Sequence, residues 1–487
     1  EQLPDGSTTA FEVNGAGAVT AIEDIDGRTE LEVNGNGLPV KVTTESGDVS
    51  TLSYGPSGLL VGATTADGTE VVEIHDGRGR PTEIRRNGDL VQGFTYRPDG
   101  LLASQTDPAG TTTFGYDDAG RQVSVVDPAG RATTFGYGEG DQPTTITDNA
   151  GAATTFEYDP AGRTTAVTDA TGRTVRQGYD AVGNPVRTVD AAGLVTEMVF
   201  EAGHPVRITS PGGGVRTIDY DASGRPVEVV DEAGQSTRTT YDAAGRQATI
   251  TDAVGATTSY VYSAGADLEA VIDPLGRTTR YEHDVAGRVI GVTHPDGSTV
   301  SMTRDLSGQI MSAVDAAGRT STFTYTDDGD LASVTRSDGS VEQRTYDAAG
   351  RLLSARIDDE FVEFTRGPTG SILSSTQPGI GSISYVEDAV GRVAEAAVTV
   401  EGLGTSTTRY GYDLAGRLTS VDGPDGLTAV GYDPGGRLAS RATPDGTAST
   451  WAYGSDGLVS ALTVADGTNV LLDEQVTRDL RGDITRI

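Results

Sequence analysis

The chain has 487 residues and carries 71 acidic against 36 basic side chains, a formal net charge of −35, with 66 glycines, one tryptophan and no cysteine. That charge repels phosphate backbones and sets nucleic acid aside as a ligand. Without cysteine there is no disulfide scaffold, zinc–thiolate site or cysteine nucleophile, and no run of 18 apolar residues offers a membrane-spanning helix.

The first residues, Glu-Gln-Leu-Pro-Asp-Gly, lack a charged segment followed by an apolar one, so no signal peptide is expected in them. Length alone would suggest two or three domains at ~150 residues each. Self-similarity overrides that reading. From the N-terminus, one frame recurs with anchors at 13, 33, 54, 75, 96, 116, 137, 158, 179, 200, 220 and 241. It continues at 262, 283, 304, 325, 346, 366, 387, 412, 432, 453 and 478. Of the 22 spacings, 15 are 21 residues, five are 20 and two are 25. Residues 1–487 are therefore expected to form a single continuous array of about 23 repeats, with no separate catalytic or toxin domain.

The anchor segment reads Tyr116-Asp117-Asp-Ala-Gly120-Arg121, then Tyr158-Asp159-Pro-Ala-Gly162-Arg163 and Tyr241-Asp242-Ala-Ala-Gly245-Arg246. It returns as Tyr346-Asp347-Ala-Ala-Gly350-Arg351, Tyr412-Asp413-Leu-Ala-Gly416-Arg417 and Tyr432-Asp433-Pro-Gly-Gly436-Arg437. Tyr fills 14 of the 23 anchors, whereas Gly stands four residues later in 20 of 23, the exceptions being Asp141, His204 and Ala266. Glycine is kept more strictly than tyrosine, which points to a backbone requirement first and a packing requirement second.

Within a repeat, Asp-Pro-Ala-Gly at 159–162 asks for a type I turn, with Pro presetting φ and Gly entering the left-handed region of a bulged hairpin. A second turn of the same chemistry follows about ten residues on, at Asp107-Pro-Ala-Gly110, Asp127-Pro-Ala-Gly130, Asp231-Glu-Ala-Gly234, Asp273-Pro-Leu-Gly276 and Asp315-Ala-Ala-Gly318. The segments between, such as Arg121–Val126 and Arg131–Tyr137, are rich in Val, Thr and aromatics and read as strands of about six residues. Two-residue periodicity puts Thr133, Phe135 and Tyr137 on one face, and an aromatic pair per repeat is expected to stack into a ladder between hairpins. No helical period is sustained.

The expected fold is all-β: a spiral antiparallel sheet of about 46 strands forming a large hollow barrel or shell, since open sheets rarely pass ~10 strands without curling. A parallel β-solenoid, whose coils also run near 20 residues, is the alternative.

Tyr-Asp-x-x-Gly-Arg at this period resembles the YD repeat of bacterial Rhs proteins and of teneurin shells, and is similar to the shell of the B and C components of insecticidal toxin complexes. The resemblance covers about residues 10–487. It implies a shell around a large cavity, enclosing a toxic C-terminal polypeptide in some members and serving cell-surface adhesion in others. Complete Rhs proteins close their repeats with an Arg-x-Tyr-Asp-Pro-type core segment, and many carry an aspartate-based self-cleavage site. Here the repeats run to Arg481-Gly-Asp-Ile-Thr-Arg-Ile487 without either. A plug or propeller before the shell is also missing, so the chain is expected to be the shell part of a longer protein or a stand-alone array.

Other chemistry finds little purchase. His75 and His283 stand at anchors in place of Tyr, and His204 and His294 are not spaced as metal ligands. No Gly-x-Ser-x-Gly elbow occurs, and the sole lysine, Lys41, follows Val40 rather than a phosphate-binding glycine. Asp24-Ile-Asp-Gly27 and Asp327-Asp-Gly-Asp330 invite a calcium reading but do not match an EF-hand loop. Arg481-Gly-Asp483 spells an integrin-binding tripeptide inside an anchor turn, and no Asn-x-Ser/Thr acceptor for glycosylation is present. The arginine after the turn glycine recurs ten times from Arg80 to Arg437, either pairing with the turn aspartates or gripping an acidic cargo.

These readings combine into a non-enzymatic, secreted or surface-displayed shell with no cofactor and no metal. Its partners would be an enclosed polypeptide or a plug from the same larger protein, with no nucleic acid and no membrane insertion. Adhesion to a receptor or glycan by the outer face is the alternative, for which Trp451 and Phe361 are the off-frame aromatics.

Overall fold

A computed structural model of the chain describes residues 9–479 and 483–486, apart from 25, 26, 45, 46, 67, 285 and 306. Among the described residues every regular element is a β-strand. A 45-stranded sheet holds all but Thr477–Arg478 and Ile484–Arg486, which form a small sheet of their own. Described pairings are antiparallel and join strands consecutive in sequence, as where Ala153–Tyr158 pairs with both Pro143–Thr147 and Thr164–Thr168. That meander rules out the parallel solenoid, whose strands would skip a neighbour to pair in parallel.

Contacts divide the chain into two compact units, each made of stretches far apart in sequence. One combines Glu1–Thr113 with Thr239–Phe364 and Pro368–Gly370; the other combines Phe114–Arg238 with Thr365–Gly367 and Ser371–Ile487.

The hairpin turns follow the chemistry of their residues. In the turn after Tyr158, the Gly162 N–H donates to the Asp159 carbonyl at 2.9 Å and the Asp159 N–H to the Arg163 carbonyl at 3.0 Å. Gly162 has φ +79°, and the ladder slips by one residue between Glu157 and Tyr158. This is a type I turn closed by a bulge, in the form expected from Asp-Pro-Ala-Gly. The turn at Asp169–Arg173 repeats it. A few hairpins use tighter two-residue turns, with positive φ at Asn87 and Gly88 and again at Ala202 and Gly203.

Along Ala132–Tyr137, Thr133, Phe135 and Tyr137 are half-buried while Thr134 and Gly136 are exposed, as the two-residue period predicts. The protein has almost no deep core. Among the described residues the buried apolar side chains are Ala21, Ala166, Ala270, Val334 and Ala396, and no large side chain is fully buried. Cohesion therefore rests on the hydrogen-bonded ladder, on half-buried faces and on the turns.

Candidate functional site

The recurring motif is a set of charged and aromatic side chains whose geometry repeats along the chain. In the turn after Tyr116, Asp117 Oδ1 accepts the N–H groups of Ala119 at 3.0 Å and Arg121 at 2.9 Å. Its Oδ2 accepts from Arg121 Nε at 2.8 Å and pairs with Nη2 at 2.8 Å. One carboxylate thus satisfies the turn's orphan amides and anchors the guanidinium. All ten arginines that follow an anchor-turn glycine pair in this way with the aspartate four residues before them.

The hydrogen bonds hold these carboxyls below their ordinary range. Asp76 is lowered to about 2 by the Arg80 amide and guanidinium together. Asp169 also falls to about 2: burial pushes it up, and the Thr171 hydroxyl and Arg173 outweigh that. Asp159 and Asp221 are lowered first by the Arg163 and Arg225 guanidiniums.

In the arginine–ring contacts of the described residues, the arginine of one motif meets the tyrosine of a neighbouring repeat. The Arg121 guanidinium lies 4.7 Å from the centre of the Tyr137 ring, and the Tyr137 hydroxyl donates to the Gln122 carbonyl at 2.6 Å. Arg163 covers Tyr179, Arg246 covers Tyr262, Arg417 covers Tyr432 and Arg437 covers Tyr453, at 4.3–4.7 Å. Tyr158, Tyr346, Tyr412 and Tyr432 donate to Pro143, Leu331, Val393 and Leu418 at 2.8 Å. The rings are thus covered by cations, each worth about 0.5–1 kcal/mol, where the sequence suggested an aromatic ladder. The reason is reach: a guanidinium held by its aspartate projects along the sheet onto the next ring. A fixed spacing of 16 residues between Arg80 and Tyr96, Arg121 and Tyr137, or Arg163 and Tyr179 was the available signal.

The exceptions keep the pattern by other means. Arg304, at an anchor, donates from Nη2 to the Val289 carbonyl at 3.2 Å, the bond a tyrosine hydroxyl makes elsewhere. His204 takes the place of an arginine and stacks on Tyr220, with centroids 4.8 Å apart. Gln142 and Gln309 each donate to the glycine carbonyl of the next anchor turn at 2.9 Å. Replacing Tyr137 by Phe removes one short hydrogen bond and leaves the Gln122 carbonyl without it. We expect Tyr137→Phe to lower stability by about 1 kcal/mol, read as a lower urea midpoint at unchanged slope.

The remaining candidates resolve individually. His75 and His283 are half-buried in anchor positions, and no group of three or more metal-ligating side chains forms among the described residues. Asp330 lies over the next turn, its Oδ2 3.3 Å from where a Gly350 Cβ would stand, as arginines do elsewhere. The Asp24–Gly27 segment and the Arg481-Gly-Asp483 tripeptide fall partly outside the described residues. Trp451 and Phe361 are half-buried, so neither is an exposed aromatic. No helix among the described residues is long and apolar enough to cross a membrane.

No curated protein matches the sequence. Among solved structures, the fold is similar to the crystal structure of TcdB2-TccC3 without hypervariable C-terminal region, with a TM-score of 0.69 at 13% identity. It is similar to TcdB2-TccC3-Cdc42 with a TM-score of 0.67 at 14% identity, and to TcdB2-TccC3-TEV with 0.55 at 13%. The match takes in 98%, 97% and 98% of this chain but only 36% of each of those chains, so this chain spans about a third of their length. At that identity the likeness is one of fold. A sequence profile described as RHS Repeat matches at 33–70, 96–132, 116–154, 139–174, 158–195, 200–236, 220–257, 262–299, 304–341, 325–360 and 388–428. With more than half of its residues inside that profile and the motif geometry repeated from Asp76 to Tyr453, the chain belongs to the RHS repeat family.

Proposed function

We propose that the chain is the wall of a containment shell that keeps an enclosed polypeptide away from its surroundings, as part of a toxin-delivery assembly. The observation that carries this reading is the likeness, over 98% of the chain, to a TcdB2-TccC3 chain. The names of the related structures, one lacking a hypervariable C-terminal region and others joining TcdB2-TccC3 to Cdc42 or TEV, fit a wall that works with different polypeptides. On this reading the array acts as one continuous domain, its role is containment rather than catalysis, and it works outside the producing cell. The motif residues serve the wall: Asp–Arg pairs close ten of the anchor turns, and Arg–Tyr contacts tie neighbouring repeats together.

A protease-sensitive reporter polypeptide fused after Ile487 tests this. It is expected to resist protease while the array is native and to be digested once the array is unfolded in urea. Digestion at the rate of the free reporter, with the array still native, would overturn the proposal.

A further inference from the structure

The second unit contains a junction that the hydrogen-bonded ladder does not cross. Its two stretches, 114–238 and 371–487, meet turn against turn. Arg131 Nη1 stands 3.5 Å from Glu387 Oε2, 256 residues away, and Asn149 Nδ2 donates to the Ala389 carbonyl at 2.9 Å, 240 residues away. The Ala192 Cβ lies 2.5 Å from where a Cβ on Gly435 would stand, and the Asp456 Cβ 3.0 Å from that of Gly212. The turn tips at this junction are small: Ala129, Ala150, Thr171, Ala192 and Gly212. Gly435 replaces the alanine that Asp-Pro-Ala-Gly carries at 159–162. A cavity of about 230 Å³ lies beside Arg131, Asn149 and Val390.

Resting on the containment reading, we propose that the wall parts along this junction, and that release of an enclosed polypeptide proceeds there rather than between neighbouring strands. Small tips bury little apolar surface, and buried surface is what holds two elements together without hydrogen bonds. An ion pair at 3.5 Å on half-buried side chains adds little, and one amide–carbonyl bond adds modestly. Separating two neighbouring strands instead breaks a whole ladder, as at Thr155–Thr168, Phe156–Val167 and Glu157–Ala166. Local opening follows the path of fewest protected contacts, and that path is the junction. Arg131 and Asn149 make polar contacts that hold it, beside Arg173 packed on the Gly436 turn and Leu194 on the Gly457 turn.

The absence of cysteine lets the two routes be compared directly. Spin labels on Ala150→Cys with Ala389→Cys report across the junction; labels on Thr145→Cys with Thr155→Cys report across paired strands. In urea below the global transition, with the far-ultraviolet signal unchanged, the junction pair is expected to separate while the strand pair holds its distance. Glu387→Gln combined with Asn149→Ala is expected to raise the separated fraction about five- to tenfold. Separation of both pairs only at global unfolding, or no response to the double substitution, would overturn the proposal. The labels need no cargo. A junction that parts while the fused reporter is digested regardless counts against containment alone, and a protected reporter behind a rigid junction counts against the junction alone.

Discussion

Between pH 8 and about 4 the urea midpoint is expected to hold or rise slightly, and between about 4 and 2 it is expected to collapse. The turn aspartates set this window. Their folded carboxyls sit below the ordinary range, at about 2 for Asp76 and Asp169 and lowered at Asp159 and Asp221. In the unfolded chain the same groups titrate near the usual ~3.9. A depressed folded pKa contributes stability that is fully present above the unfolded value and is lost as pH falls through the folded one. Over that interval the unfolded chain binds more protons at turn aspartates in more than half of the repeats, so the small terms add along the array. Partial neutralisation of the −35 net charge works in the opposite sense, relieving self-repulsion as pH drops towards 4. It accounts for the slight rise expected first.

One turn isolates the effect. Asp169→Asn keeps an acceptor for the turn amides but removes the charge that holds Arg173, a pair with both side chains about a quarter exposed. It is expected to cost about 1–2 kcal/mol at pH 7, after screening is allowed for, and almost nothing at pH 2. Urea titrations at several pH values read both outcomes. A midpoint already halved at pH 5, or a flat one down to pH 2, would show that these pairs do not govern acid stability.

The contrast between local and distant information explains what could be read from residues alone. The period, the two turns per repeat and the strand faces were legible because each is settled within a few residues: Asp-Pro-Ala-Gly carries its own geometry, and Thr133, Phe135 and Tyr137 alternate with exposed neighbours. Antiparallel order followed from the same turns. The arginine's partner was not legible from one motif, because Arg121 spends its charge on Asp117 and its face on Tyr137 of the next repeat. His204 looked like a gap in the glycine register until it was seen stacked on Tyr220 in an arginine's place. The junction in the second unit left no local trace. Asn149 and Ala389 lie 240 residues apart, and nothing near either position announces the other. Only the small tips, with Gly435 where an alanine would be ordinary, hint that something packs close.

Gly436→Ala is expected to cost about 3–4 kcal/mol, against about 1–2 kcal/mol for Gly255→Ala. Both glycines have φ +86°, so a Cβ meets the same left-handed backbone penalty at either site. They differ in what occupies the space. At Gly255 nothing lies within 4 Å of the added carbon. At Gly436 the guanidinium of Arg173 already fills that position, and Arg417 Nη1 stands 3.0 Å from it. Arg417 cannot move freely, since it pairs with Asp413 at 2.7 Å and covers the Tyr432 ring at 4.4 Å. A methyl group must push one guanidinium off its partners, forfeiting an ion pair and a cation–ring contact on top of the strain. Arg173→Ala in the Gly436→Ala background is then expected to recover part of the loss, a coupling that a purely backbone effect would not produce. The comparison decides why glycine holds 20 of 23 positions where tyrosine holds only 14 of its own. If the two substitutions cost the same, the turn's backbone alone demands glycine. If they differ as expected, the glycine also leaves room for a neighbouring guanidinium, from the preceding repeat or from the facing stretch, while the tyrosine receives one on its ring and donates its hydroxyl to a strand carbonyl.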